Sequence, residues 1–450
     1  MKKRLITAVL IIASLVSGSL FFLSCEKKET VSLPPTTIIQ IQAPNPDGQP
    51  GTQLVFDYEV TFKPLVEFHG EAFPVKELST ASAVTWYGEP RMVSYDDYIG
   101  DMIGSFGVTL FLKPNDPSDE TSSEGKIPVV VEIEGDRFIR KSRLEADVPL
   151  DREIEIFPRI IYDINALEHL IQPASENVHF RLYYGAVKLQ EKTEVIRFHS
   201  VNEVPLVELN RRDNESVIDH RWLIAAYVNE DDPLIDKILQ EALQIGMAEK
   251  LGYGDTFAFS GYDGNSGLSV DLQVLAVWSV FLKHNVKYSN ITTTSTKNSN
   301  IATQYVRTLG ESFGNQQANC VDGSVLFASI LRKIGIETSL VLVPGHMFVM
   351  YLRNEDPESF EESFAFLETT MLGNVNVSKY TKDESIFGKL KKLTGLGSTQ
   401  STVTLDSFLA ALESGQKTFD SVLEDDNAGF EIIDISACRS LGIMPVVRHE

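Results

Sequence analysis

Asn319-Cys320-Val321-Asp322-Gly323-Ser324-Val325-Leu326-Phe327-Ala328-Ser329-Ile330-Leu331-Arg332-Lys333-Ile334-Gly335 is the stretch around which the rest of the chain is organised. Phe327, Ile330, Leu331 and Ile334 recur at three- and four-residue spacing, which predicts a helix with one buried face. Gly335 ends it. At the other end Asn319 is a favoured N-cap, and Asp322 stands three residues on, where a capping-box acid sits. Cys320 therefore falls in the first helical turn, where unpaired N–H groups and the positive end of the helix dipole favour a thiolate over a thiol. Asp322 opposes this as a nearby like charge unless its oxygens are turned toward backbone N–H groups.

Two strand-like runs follow, Thr338 to Val343 and His346 to Leu352, separated by the turn signal Pro344-Gly345. A third runs from Phe364 to Glu368, after the polar stretch Arg353 to Glu361. A symmetric antiparallel hairpin pairs Leu352 with Glu362, Met350 with Phe364, Phe348 with Phe366 and His346 with Glu368. Residues directly opposed on adjacent strands share a face, so Glu368 is expected to hold one ring nitrogen of His346 and leave the other for Cys320. A one-residue slip would send ring and carboxylate to opposite faces. Thiol, imidazole and carboxylate in this order are what a nucleophilic cysteine site requires.

The three stretches NCVDGSVLFASILRKIGI, PGHMFV and FLETT together resemble the core of the transglutaminase-like superfamily, a papain-like fold. The resemblance reaches upstream to Val270–Leu282, to Tyr288 and to Tyr305-Val306-Arg307, and so covers about the last half of the chain. It implies that Cys320 is the nucleophile, His346 the general base and acid, and Glu368 the orienting acid, at a place where the family usually carries Asp. Phe348 and Ala318 stand where many members have Trp and Gly. Acyl transfer also needs donors for a developing oxyanion. The backbone N–H of Cys320 is one, and the side-chain amides of Gln316, Gln317 and Asn319 are candidates for a second.

Each residue alone also has a structural explanation, because a lone cysteine is more often packing than chemistry. Cys438, in DISACRSLGIMPV, reads as core. The eight histidines show no paired ligand spacing and the thiols no CxxC partner, so neither a metal site nor a cofactor is expected.

The chain opens with Lys2, Lys3 and Arg4, continues apolar from Leu5 to Phe22 and reaches Cys25 just before Glu26-Lys27-Lys28-Glu29. This pattern resembles a bacterial lipoprotein signal, which implies removal of residues 1–24, acylation of Cys25 and a membrane-anchored protein of the cell envelope, at the outer membrane by analogy. An uncleaved transmembrane anchor is the alternative, disfavoured because Ser14, Ser17, Gly18 and Ser19 interrupt the run. The formal net charge of −23 becomes more negative when the three basic residues leave, which excludes nucleic acid as a partner and leaves the lipid anchor as the link to a membrane. With three cysteines in 450 residues, stability is expected from packing and not from a disulfide framework.

A Pro-, Gln- and Thr-rich stretch over residues 25–51 reads as a linker. Residues 52–207 carry short strand signals, Leu54 to Thr61, Gly107 to Leu112, Val129 to Ile133, His179 to Tyr184 and Thr193 to Phe198, and read as an immunoglobulin-like β-sandwich. Residues 208–450 carry helical spacing at Pro233–Met247 and Leu268–Leu282, an unpatterned Ser/Thr/Asn-rich loop from Ser289 to Thr303, and the motifs above. The expectation is an α+β protein, a sandwich followed by a papain-like domain, that hydrolyses peptide-type amides through a cysteine thioester. Its substrate class is protein or peptide, including cell-wall peptide. Cross-linking to a lysine amine and a non-catalytic envelope-binding module are the competing expectations.

Overall fold

Period-two alternation builds the first half. In Ala174–Tyr184, Val178, Phe180 and Leu182 are buried while His179 and Arg181 face outward, and Tyr58, Val60 and Phe62 repeat the pattern in Phe56–Lys63. The computed structural model describes residues 41–42, 56–63, 67–80, 91–94, 106–114, 126–210, 215–249, 251, 257–262, 267–290, 294–354, 363–373, 399–425 and 429–446, and the chain in it is mixed α+β. The expected signal segment, Cys25 and nearly all of the linker lie outside these residues. Among the described residues no helix is long and apolar enough to cross a membrane.

Among the described residues, ten strands make the two main sheets of the first body, apart from a short pair formed by Ile139–Arg140 and Ile161–Tyr162: β1 (Ile41–Gln42), β2 (Phe56–Lys63), β3 (Glu71–Ala72), β4 (Arg91–Ser94), β5 (Gly107–Pro114), β6 (Lys126–Gly135), β7 (Ser142–Pro149), β8 (Glu153–Phe157), β9 (Ala174–Tyr184) and β10 (Val187–Phe198). They form two five-stranded sheets in the orders β1-β2-β5-β8-β4 and β3-β10-β9-β6-β7. Both sheets contribute to one apolar core, Tyr58, Val60, Val108 and Leu110 from the first meeting Val131, Ile133, Val178 and Phe180 from the second. On the outer face of the second sheet Arg181 donates to Glu132 (3.0 Å), Glu134 (2.7 Å) and Glu191 (2.7 Å), so the polar half of the alternation is paired across strands.

The second body begins with β11 (Glu203–Leu209), which spans the boundary expected near residue 207, and β12 (Val217–Asp219). Helices α1 (Pro233–Ala248) and α2 (Gly267–Lys283) follow, then β13 (Lys287–Tyr288), β14 (Ile301–Tyr305) and β15 (Gln317–Ala318). Next come α3 (Cys320–Lys333), β16 (Thr338–Val343), β17 (His346–Leu352), β18 (Phe364–Leu367), α4 (Thr399–Glu424), β19 (Glu431–Asp434) and α5 (Ile435–Ser440). Asp232 caps α1 by accepting from Leu234 N, so the acidic run before it acts as a start signal. The central sheet is antiparallel in the order β18-β17-β16-β19. Trp278 and Phe281 of α2 pack on Phe327 of α3, and Val349, Tyr351 and Leu367 of the sheet join the same cluster. The opposite flank of α3, Val321, Val325 and Ala328, packs with Leu340, Met347 and Cys438 and with Phe73 and Val75 of the segment after β3, so apolar contact continues between the two bodies.

The Ser289 to Thr303 stretch, expected to be an unpatterned loop, is pinned in its later part. Ser295 N and Thr296 N donate to Glu203 Oε1 (2.9 and 3.2 Å), and β14 begins at Ile301 and pairs with β11. Its order comes from residues about a hundred positions away, which local pattern does not register.

Candidate active site

Both halves of the expected capping box form at α3: Asn319 Oδ1 accepts from Asp322 N (2.8 Å), and Asp322 Oδ2 accepts from Asn319 N (2.9 Å). Asp322 is fully buried and also accepts from Arg307 N (2.8 Å) and Arg307 Nη1 (2.5 Å). Burial pushes its carboxyl up, against the hydrogen bonds from Asn319 and Arg307, which lower it. The carboxylate opposed to the thiol in sequence is thus occupied with the chain behind it. Removing the cap oxygen by Asn319→Ala is expected to cost about 1 kcal/mol, read as a lowered melting temperature.

Cys320 opens the helix and is partly exposed. His346 is the first residue of β17, placed there by the two-residue connection Pro344-Gly345, where Gly345 takes φ +71°, a conformation costly for any residue with a Cβ. His346 Nε2 lies 2.5 Å from Glu368 Oε2, and the Cys320 side chain is a second hydrogen-bond partner of the same ring. With Nε2 committed to the carboxylate, Nδ1 is the nitrogen left for sulfur. Burial alone would lower His346, but the hydrogen bonds and charges of Cys320 and Glu368 more than reverse this, and the ring is pushed up to about 10. Burial works to raise Glu368, yet His346 and the Thr370 N–H (3.0 Å) and hydroxyl (2.6 Å) hold it below the ordinary carboxylate range.

The three residues expected from sequence come together, but by a different hairpin register. Leu352 pairs with Phe364, Met350 with Phe366 and Val349 with Leu367, a slip of two residues from the symmetric expectation. Arg353 causes it. Expected to open a polar turn, Arg353 is buried, donates from Nε to Asp271 Oδ1 of α2 (2.9 Å), and extends the ladder by donating its N–H to Ser363 O. An even slip preserves faces. Continuing the ladder puts Glu368 opposite Phe348, with His346 two residues along the same face, a diagonal of roughly 7–8 Å between Cα positions that the extra methylene of Glu helps to span. Glu368 itself lies past the end of β18, where it caps the short 3₁₀ turn Thr369–Met371 through Thr370 N.

Of the three amide candidates, Gln316 and Gln317 are exposed, and Gln316 sits at φ +55° with its carbonyl accepting from Lys287 N. Asn319 is buried, its Oδ1 is used as the cap, and its Nδ2 has no hydrogen-bond partner among the described residues. Asn319 is therefore the candidate with an unpartnered donor, but that nitrogen is sealed from solvent.

Sequence reasoning assigned no role to Tyr288. It is 42% exposed, stands opposite Ala318 in the parallel pair β13–β15, and is pushed up by burial and by the charges of Cys320 and Glu368. It thus forms part of the rim of the site. Its only signal in sequence was a tyrosine at the end of a helical run. Cys438 is buried and burial pushes its thiol up to about 11, so it belongs to the core and not to the chemistry. Among the described residues no group of three or more His, Cys, Asp or Glu side chains could hold a metal ion. No family model and no curated protein matches the chain, so what can be said of its function rests on the geometry of this site.

Proposed function

We propose that this chain is an exported, lipid-anchored cysteine acyl-transfer enzyme of transglutaminase-like type, a papain-like domain behind an immunoglobulin-like sandwich, acting hydrolytically on peptide-type amides. The observation that carries the proposal is His346 held between Glu368 and Cys320, with the sulfur partly exposed at a helix start. His346 holds the thiol proton before the substrate arrives, and the sulfur attacks the amide carbonyl, whose oxygen accepts from the Cys320 N–H. The carbon–nitrogen bond then breaks while His346 returns the proton to the departing amine, leaving a thioester. Water adds to the thioester with His346 as base, and the carbon–sulfur bond breaks to release the acid and restore the thiol. Glu368 remains ionised throughout, orienting the ring and stabilising its cationic form. Tyr288 offers an aromatic wall to the acyl portion.

Iodoacetamide provides the test. At pH of about 6, Cys320 is expected to alkylate roughly ten-fold or more faster than an ordinary free thiol, with Cys438 unlabelled in the folded protein, and His346→Ala is expected to remove the advantage. Equal rates for Cys320 in wild type and His346→Ala would end the proposal. Amide substrates are then sought by profiling peptide and cell-wall amide libraries, with Cys320→Ala as the blank.

A further inference from the structure

The nucleophile helix and the turn that carries the acid touch at Gly323. A Cβ built there would lie 2.6 Å from Thr369 Oγ1 and 2.9 Å from Thr369 Cβ, distances at which something must move. Gly323 is three residues after Cys320, and Thr369 immediately follows Glu368. Rotating the Thr369 side chain would clear the hydroxyl but not the Cβ, which is fixed to the backbone. Thr369 is buried, so it has no open side toward which to retreat.

The segment also has no slack toward α4. Glu368 N donates to Ala411 O (3.2 Å), and a Cβ on Gly415 would meet Phe366 O at 2.3 Å, so α4 is already packed against the backbone of β18 and the start of the turn. Any side chain at Gly323 must therefore be accommodated by separating α3 from the Glu368 turn. That displacement is felt by the row from Cys320 through His346 to Glu368, because the sulfur is carried by α3 and the carboxylate by the turn, so moving the two apart changes how both ends of the row meet the ring.

We infer that Gly323 is a positioning residue: its lack of a side chain sets the distance between the nucleophile helix and the acid turn, and with it the hold of Glu368 on the His346 ring. This inference rests on the proposed roles of Cys320, His346 and Glu368 and deepens them. It assigns the glycine to catalytic geometry, where helix propensity alone would favour alanine.

Gly323→Ala and Gly323→Ala/Thr369→Gly are compared with wild type and His346→Ala by iodoacetamide labelling of Cys320 across pH, below the melting temperature of each protein. Gly323→Ala is expected to stay folded yet label about ten-fold more slowly near pH 6, with a pH profile displaced toward that of His346→Ala. Thr369→Gly added to it, by removing the colliding Cβ, is expected to restore the wild-type profile. A folded Gly323→Ala with wild-type rate and profile overturns the inference, as does a double variant that fails to recover them. If Gly323→Ala does not fold, the double variant decides: folding with the wild-type profile supports the inference, and misfolding or a profile like that of His346→Ala overturns it. Failure of the underlying site would appear separately, as identical labelling of wild type and His346→Ala.

Discussion

Cys320→Ala is expected to abolish turnover of any amide substrate, by about a thousand-fold or more in kcat, while leaving binding and melting temperature close to wild type. In the proposed mechanism the sulfur is the atom that forms the thioester, and nothing else at the helix start replaces it. His346→Ala is expected to be comparably severe, and the double variant no worse than either alone, because the two groups act as a unit. Glu368→Gln keeps a hydrogen-bond acceptor for the ring but removes the charge that helps push His346 up, so a smaller loss is expected together with an alkaline limb moved to lower pH. In the wild type that limb is expected near pH 10, where the ring loses its proton. The linked stability has the same sign: a folded-state value above the ordinary 6.5 contributes stability fully present below about 6.5 and lost as pH rises through about 10. Steady-state rates of the variants across pH check each point, and a Cys320→Ala protein that still turns over substrate would remove the thioester from the mechanism.

Glu203→Ala is expected to produce the largest loss of stability, about 3–5 kcal/mol, read as a lowered melting temperature at pH of about 6. The reason is a buried charged junction between the two bodies. His199, whose side chain is fully buried at the end of β10, has Nε2 2.5 Å from Glu71 Oε2 and Nδ1 3.2 Å from Glu203 Oε2. Its ring stacks on Phe73 at 4.2 Å. Glu203 Oε2 also accepts from Ser295 Oγ (2.6 Å), and its Oε1 from the Ser295 and Thr296 N–H groups and from Thr303 Oγ1 (3.1 Å), so one carboxylate organises both the histidine and the chain leading into β14. Alanine leaves the Ser295, Thr296 and Thr303 donors without their acceptor and the buried ring with one carboxylate, Glu71, in place of two, and that loss at a buried site is the cost.

The pH dependence of that loss follows from the same contacts. Burial works to raise Glu203, but His199 and Ser295 outweigh it and hold the carboxyl at about 2, so its contribution is complete above about 4.5 and disappears as pH falls toward 2. Glu71 is lowered as well, against its burial, chiefly by His199. Burial works to lower His199, and Glu203 and Glu71 more than reverse it, so its contribution is complete below the ordinary 6.5 and fades as pH rises through the raised value. The difference in melting temperature between wild type and Glu203→Ala is therefore expected to be widest between about pH 4.5 and 6.5. A difference that does not vary with pH would mean that the junction acts through hydrogen bonding and packing alone.

The helix that carries Cys320 was legible because its signals are short-range. The capping box spans Asn319 to Asp322, the apolar spacing lies within α3, and both partners of every cap bond sit within three residues of each other. The sandwich strands were legible for the same reason, since alternation is written residue by residue along Phe56–Lys63 and Ala174–Tyr184. The order thiol, imidazole, carboxylate was visible too, and so was the face on which ring and carboxylate meet, because an even slip keeps the parity that the sequence sets.

What tertiary structure alone decided was distance. The register of β17 against β18 depends on Arg353 being drawn into the interior by Asp271, 82 residues away, and no local pattern marks that arginine as buried. The freedom of Cys320 from its neighbouring acid depends on Arg307, which engages Asp322 from another element. The hold on the Ser295 segment depends on Glu203, and the spacing of the site on Gly323 meeting Thr369 across 46 positions of sequence. Side-chain type and local periodicity are properties of the chain as written, whereas a buried ion pair or a glycine contact exists only once folding has paid the entropy of bringing remote segments together and removed the water between them.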